Sequence, residues 1–232
     1  MNKRSLSILA ISFLIIMIII LAAVNPGDQS QSCMEYYAGL ESPPPEALAW
    51  CEAGEYFQWE STLPINADFD ALNIFHTCQG NPEDLAILMI HGYPTSSFDY
   101  APLFAELSDE YYVCALDTPG YGFSDKPLDR YDYSIFDDAQ LVDYYIREVA
   151  ELDDFILLSH DKGDSVGLAL LQIFQAYEEK PYQIKHHFIT NGNIYLPLAD
   201  LTRGQKALLN PTLGPIITRL LSPQRLAESI AE

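Results

Sequence analysis

The stretch that decides the fold is FILLSHDKGDSVGLAL, residues 155–170. It begins with a bare apolar run, which is typical of a buried strand, and it ends with the composition of a helix. Ser159 and Gly163 lie two residues before and after Asp161, and a sharp strand-to-helix turn needs small residues at those two positions. The pattern therefore predicts that Asp161 lies at the apex of such a turn. A carboxylate held there can act as a covalent nucleophile.

The chain on either side of this turn alternates between apolar runs and helix-like stretches. The predicted buried strands are residues 85–91, 111–117, 155–160 and 184–190, and the predicted helices are residues 102–110, 134–152 and 164–179. Continuous apolar runs of this length favour strands that are buried on both faces. Two further predicted strands, residues 55–61 and 71–77, precede them. The alternation of strands and helices predicts an α/β fold with a mostly parallel sheet.

In open α/β sheets the chemistry lies at the carboxyl ends of the strands. The sequence His91-Gly92-Tyr93-Pro94 follows the first buried strand, and a glycine there lets the backbone turn its next N–H towards the site. We therefore expect the N–H groups of Tyr93 and Lys162 to be oxyanion donors. We also expect His91, Gly92 and Tyr93 to border the substrate pocket, with His91 serving as a structural histidine.

A serine offers a rival nucleophile four residues beyond Asp161. The segment GDSVG, residues 163–167, matches the pattern G-x-S-x-G and has Ser165 at its centre. With Ser165 at the apex, the preceding strand would carry His160, Asp161 and Lys162 into a sheet that is buried on both faces. Unpaired charges in that position cost several kcal/mol. We therefore favour Asp161 and keep a Ser165-dependent esterase as the alternative.

The other polar residues of the core are expected to be structural. Asp117 ends the strand at 111–117, and we expect it to cap the backbone N–H groups of the turn that follows. His76, His186 and His187 have no partners at the spacing of metal ligands. The sequence also has no glycine-rich loop of the kind that cradles phosphate groups. We therefore expect no metal, nucleotide or flavin cofactor.

The net charge of the chain and the hydropathy of its N-terminus indicate which partners it can have. The net charge of −21 argues against nucleic acid or anionic headgroups as partners, because both would repel the chain. Residues 5–24 form an uncharged apolar run after Lys3 and Arg4, long enough to span a bilayer. We expect an uncleaved signal anchor there, with a cleaved signal peptide as the alternative. Either would place the remainder outside the cytoplasm, anchored to the membrane or secreted.

The cysteines suggest one disulfide and one thiol. In an oxidising compartment Cys33 and Cys51 could close a short loop within residues 25–54, which we expect to form a linker-like stalk. Cys114 lies in an apolar run and is expected to be a buried thiol.

Three motifs carry a family resemblance. The segments HGYPTSSFDY (91–100), ALDTPGYGFSDKP (115–127) and LLSHDKGD (157–164) resemble the α/β-hydrolase superfamily. Within it they are most similar to the haloalkane dehalogenase and epoxide hydrolase branch, and to mesoderm-specific-transcript-like proteins. The resemblance implies hydrolysis of epoxide-like or haloalkane-like small molecules through a covalent alkyl ester on Asp161. It also implies that residues 55–190 form the N-terminal half of the hydrolase core and residues 191–232 the beginning of a helical cap.

Two departures from the family bear on the reaction. Dehalogenases of this type carry a Trp directly after the nucleophile to bind the halide, whereas this chain has Lys162, which favours epoxide-like substrates. The family places its orienting acid and catalytic His beyond the cap, yet no His follows His187. We therefore expect either a fragment of a longer reading frame or a truncated protein that forms the ester without hydrolysing it. A non-catalytic binding protein on the same scaffold is the further alternative.

Overall fold

The computed structural model describes residues 32–127, 130–192 and 203–220. The chain divides into two compact units. One unit spans Asp28–Pro197 and holds the sheet. The other consists of Met1–Gly27 and Leu198–Glu232, and its described part is the pair of short helices at its C-terminal end.

The sheet contains the six strands that the sequence pattern predicts. They are β1 (Glu55–Trp59), β2 (Leu72–Gln79), β3 (Ala86–Ile90), β4 (Tyr112–Leu116), β5 (Asp154–His160) and β6 (Gln183–Thr190). Their order across the sheet is β1-β2-β4-β3-β5-β6. The β1–β2 and β2–β4 pairs are antiparallel, and the remaining pairs are parallel. The predicted mostly parallel α/β sheet is therefore confirmed.

The helices flank this sheet in the unit that contains it. They are α1 (Cys33–Ala38), α2 (Pro45–Glu52), α3 (Ala101–Leu107), α4 (Ile135–Tyr144) and α5 (Lys162–Ala176), and the second unit contributes α6 (Arg203–Leu208) and α7 (Gly214–Leu220). The Ser134 side chain caps α4 by accepting a hydrogen bond from the Phe136 N–H. Helix α4 continues as a π-helical turn over Tyr145–Val149.

The core forms two apolar layers, one on each face of the sheet. Because successive strand residues point to opposite faces, Leu88 and Ile90 of β3 join one layer while Ile87 and Met89 join the other. Helices α4 and α5 cover the first face, where Leu141 and similar residues are fully buried. Burying each such side chain stabilises the fold by about 1.5–3 kcal/mol. The layers hold the carboxyl ends of β3 and β5 side by side, where the predicted site lies.

Strand β6 departs from the prediction that it is buried on both faces. Most of its residues are exposed, including Phe188 at 54% and Ile189 at 46%. In the described part of the chain β6 pairs with β5 alone. A strand at a sheet edge has one open side, and the apolar letters of IKHHFIT could not reveal this.

The predicted stalk also differs from the structure. This segment contains α1 and α2, and the expected Cys33–Cys51 disulfide joins the two helices. Trp50 is only 7% exposed and donates a hydrogen bond from Nε1 to the Ser97 Oγ at 3.3 Å. The Cys33 N–H donates to the Tyr56 hydroxyl at 2.9 Å. These contacts make the segment part of the domain rather than a linker. No helix within the described residues is both long and apolar enough to cross a bilayer, and the predicted anchor at residues 5–24 lies outside them.

The prediction of a free thiol at Cys114 is wrong. Cys114 forms a disulfide with Cys78; Cys114 is fully buried, Cys78 is partly buried, and the Cys78 Sγ lies 3.3 Å from the Tyr145 hydroxyl. The two residues lie directly opposite each other in the antiparallel β2–β4 pair. These strands are neighbours in the sheet but not in the sequence, because β3 lies between them along the chain. Spacing alone therefore could not show the bond.

Candidate active site

Asp161 lies at the sharp bend between β5 and α5. Its backbone has φ 52° and ψ −114°, a conformation that costs a non-glycine residue about 1–3 kcal/mol. Two glycines allow the bend to pack closely. A Cβ on Gly163 would clash with the Ile90 carbonyl oxygen, and a Cβ on Gly92 would lie 2.6 Å from the Cβ of Asp161. The bend thus brings Asp161 against the loop that follows β3.

Two backbone amides converge on the Asp161 carboxylate. The Tyr93 N–H donates to Oδ1 at 2.9 Å, and the Lys162 N–H donates to the same oxygen at 2.6 Å. Oδ2 accepts no hydrogen bond from the described residues. The structure therefore brings the two predicted oxyanion donors together around one oxygen of Asp161 and leaves the other oxygen available.

His91 supports the loop from behind. Its ring is 2% exposed and bonds backbone on both sides, with Nδ1 2.9 Å from the Gly92 carbonyl oxygen and Nε2 accepting from the Thr118 N–H at 3.1 Å. Because Nε2 accepts, Nδ1 carries the proton and donates. Burial lowers the pKa of His91, so the ring is neutral. Contrary to the expectation that His91 and Gly92 border the pocket, Tyr93 is the member of this trio that lines it.

Asp117 organises the turn after β4. Its carboxylate accepts hydrogen bonds from the Ser97 N–H at 2.7 Å and the Phe123 N–H at 2.8 Å. The first bond ties this turn to the loop that carries Tyr93. The predicted role of Asp117 as a cap for backbone N–H groups agrees with this geometry.

A cavity of about 330 Å³ opens beside Tyr93 and Lys162, the two residues whose amides bind Asp161, although Asp161 itself is not among its lining residues. Its lining includes Tyr93, Tyr121, Tyr133, Ile135, Asp138 and Lys162. Burial raises the pKa of Tyr121 to about 12, so its phenol stays protonated at neutral pH. The cavity is therefore largely aromatic and apolar, with one carboxylate and one ammonium group among its walls.

Asp138 is the site residue that the sequence analysis missed. Its Oδ2 lies 2.7 Å from the Lys162 Nζ, and only 7% of its side chain is exposed. Burial raises the pKa of Asp138, and the neighbouring Lys162 ammonium opposes that effect. Asp137 and Asp138 lie in the first turn of α4, where acidic residues are common because they interact favourably with the helix dipole. Nothing in the sequence indicates that the second of them faces Lys162.

The rival serine lies inside α5 rather than at the bend. Ser165 is four residues beyond Asp161, past the first turn of the helix. Ser159 and Asp164 instead take part in a cluster beneath the bend. The Ser159 hydroxyl donates to the Asp164 Oδ1 and lies 2.8 Å from the His187 Nε2. This cluster is consistent with the structural role predicted for His187.

His76 and His186 are not among the residues that line the cavity. His76 Nδ1 lies 3.3 Å from the Tyr145 hydroxyl in the sheet, away from the cavity. Within the residues described, no group of three or more His, Cys, Asp or Glu side chains could hold a metal ion.

Comparisons with known proteins agree with this architecture. Residues 86–186 match the family model described as alpha/beta hydrolase fold. The chain is 35% identical over 196 residues to the mesoderm-specific transcript homolog protein of Bos taurus and 34% identical to that of Homo sapiens, and each match covers 80% of this chain and 55% of the relative. The chain thus spans about half the length of these relatives.

A solved structure gives the same fold. The haloalkane dehalogenase DatA from Agrobacterium tumefaciens C58 superposes with a TM-score of 0.55 at 22% identity, over 75% of this chain and 55% of that one. At this identity the likeness concerns the fold alone. The sheet order, the bend at Asp161, the family model and the similar relatives all agree that this chain has the α/β-hydrolase fold.

Proposed function

We propose that this chain is a hydrolase that uses Asp161 as a covalent nucleophile on epoxide-like or haloalkane-like small molecules. One observation carries the proposal: the Tyr93 and Lys162 amides both bind Oδ1 of Asp161. That oxygen would become the carbonyl oxygen of an ester formed through Oδ2. It would also bear the negative charge when water attacks the ester, so the two donors already lie where charge develops.

The first step is an attack of the Asp161 Oδ2 on a substrate carbon. With an epoxide, an O–C bond forms to the enzyme while the ring C–O bond breaks, and the released alkoxide takes a proton from water. In the second step a water oxygen attacks Cγ of the ester, and a general base takes the proton. The tetrahedral intermediate then collapses to free the diol and restore the carboxylate. The described residues support the first step and the oxyanion binding of the second.

The geometry favours Asp161 over the rival serine. A nucleophile in this fold stands at the bend, next to donors from the residue that follows it and from the loop after β3. Asp161 occupies the bend and contacts both donors, whereas Ser165 lies within α5. The proposal favours epoxide-like substrates over alkyl halides, because Lys162 stands where dehalogenases of this branch have the halide-binding Trp.

Intact-protein mass spectrometry tests the proposal without requiring turnover. We expect styrene oxide to add one equivalent to the wild-type chain, and peptide mapping to locate the adduct on Asp161. Asp161→Asn should remain unmodified, and Ser165→Ala should react like the wild type. Loss of labelling in Ser165→Ala with retention in Asp161→Asn would establish the esterase alternative instead. A folded wild-type chain that neither becomes modified nor converts styrene oxide to its diol would refute the proposal.

We further propose that the domain works outside the cytoplasm. Two disulfides, Cys33–Cys51 and Cys78–Cys114, support this location, because disulfides persist mainly in oxidising compartments. Trapping of free thiols in intact cells should leave all four cysteines unmodified until a reductant is added. Four thiols that are modified without reductant would contradict the proposal.

A further inference from the structure

Lys162 is the positively charged residue among those that line the cavity. An ammonium group has three N–H donors, and three partners surround the Lys162 Nζ. The Asp138 Oδ2 lies at 2.7 Å, the Thr118 Oγ1 at 3.2 Å, and the centroid of the Tyr121 ring at 4.3 Å. Two acceptors and an aromatic ring of the protein itself therefore already surround the ammonium group, and its charge is paired with the Asp138 carboxylate.

We propose that Asp138 is a specificity-determining residue, which neutralises Lys162 and thereby selects uncharged epoxides with an aromatic or apolar body against analogues that carry a carboxylate. The inference rests on the function proposed above and names the substrate class of the same site. The body of the substrate would pack against Tyr93, Tyr121 and Ile135, which are among the residues that line the cavity.

The balance of charge around the cavity supports this selection. The side chain of Asp138 is 7% exposed and that of Lys162 is 19% exposed, so solvent screens their charges only weakly. With the two paired, the described lining of the cavity offers a substrate carboxylate no unpaired positive charge. Such a substrate would also have to approach a chain of net charge −21. Without Asp138, the ammonium group would be free to bind that carboxylate.

The test compares two epoxides that differ only in charge, styrene oxide and 4-carboxystyrene oxide. Intact-mass measurement at pH 7 gives the rate at which each alkylates the full chain. We expect Asp138→Asn to raise the ratio of the two rates, carboxylate epoxide over neutral epoxide, at least about tenfold over wild type. The variant loses the carboxylate that repels a negatively charged substrate, while the Lys162 ammonium group remains to attract it. Intrinsic reactivity cancels in this comparison. Asp84→Asn, an exposed position with the same change in charge, should leave the ratio unchanged.

A second variant guards against loss of folding. Removing Asp138 alone leaves Lys162 as an unpaired and partly buried cation, which is destabilising, whereas the double variant Asp138→Asn/Lys162→Met leaves no unpaired ion. Its rate ratio should return to within about threefold of wild type. A double variant that accepts the carboxylate epoxide as readily as the neutral one would overturn the inference. So would wild-type alkylation by both epoxides at equal rates.

The failure of the inference can be told apart from failure of the proposed function. An unchanged ratio in a folded Asp138→Asn chain that still forms the adduct overturns the inference and leaves the nucleophile in place. Absence of both the adduct and the diol product refutes the nucleophile, and with it the inference. A binding measurement separates the two without chemistry. In the Asp161→Asn background, benzamide should bind more tightly than benzoate, and adding Asp138→Asn should reverse that order.

Discussion

Replacing Gly92 with Ala should disable the site while sparing most of the fold. The new Cβ would lie 2.6 Å from the Asp161 Cβ and 2.8 Å from the His160 carbonyl oxygen. Ordinary carbon contacts are about 3.5–4.0 Å, so the loop and the bend must separate by about 1 Å. The Tyr93 N–H, one residue further on, now donates to Asp161 at 2.9 Å. An equal displacement would carry it beyond hydrogen-bond distance.

The expected effect is a fall of about 100-fold in the rate of alkylation by styrene oxide, which is the cost of a misplacement of this size. Intact-mass kinetics measure the rate, and thermal unfolding measures the stability of the same samples. Gly39→Ala is the matched control, because its Cβ would meet only the Tyr36 carbonyl oxygen at an ordinary 3.5 Å. A Gly92→Ala chain that reacts within threefold of wild type would show that the close approach does not position the donor.

Three further predictions concern stability. Burial lowers the pKa of His91 below the ordinary histidine value of about 6.5, so the unfolded chain binds the proton more readily. Its contribution should be complete above pH 6.5 and fall by up to about 1.4 kcal/mol per pH unit below it. Urea midpoints should therefore depend less on pH between 7.5 and 5.5 in His91→Gln than in the control His186→Gln. Replacing Cys33 and Cys51 together with Ser should lower the free energy of unfolding by about 3 kcal/mol, again by urea titration; an unchanged midpoint would contradict this. Asp143, whose carboxylate accepts three side-chain hydrogen bonds while 2% exposed, should cost about 3–5 kcal/mol when changed to Ala, and a loss below 1 kcal/mol would refute that estimate.

Features that depend on neighbouring residues could be predicted from the sequence. The bend at Asp161 follows from apolar strand residues, small residues at two flanking positions and a helical continuation, all within a few positions. The convergence of the Tyr93 and Lys162 amides on Asp161 follows from the same reasoning at two strand ends. The direction of each N–H group follows from the local backbone conformation, which the residues next to it in the sequence determine.

Features that depend on distant parts of the chain could not be predicted. Asp138 reaches the site because α4 packs against α5, and the sequence carries no record of which helical acid faces inward. The bond between Cys78 and Cys114 requires knowledge that β2 and β4 are neighbours. Among the described residues β6 pairs with β5 alone and most of its side chains are exposed, which its apolar composition does not reveal.

The packing of Trp50 has a practical consequence for anyone who trims this chain. The indole backs the loop from Ser97 onward, with edge-to-face contacts to Phe98 and Phe104 at centroid distances of 6.0 and 4.8 Å. A shortened version that starts at the first strand would leave a hole behind the very loop that carries Tyr93. Expression trials should therefore keep everything from residue 32 onward. Otherwise a loss of activity caused by removing the N-terminal helices could be attributed wrongly to the C-terminal part of the chain.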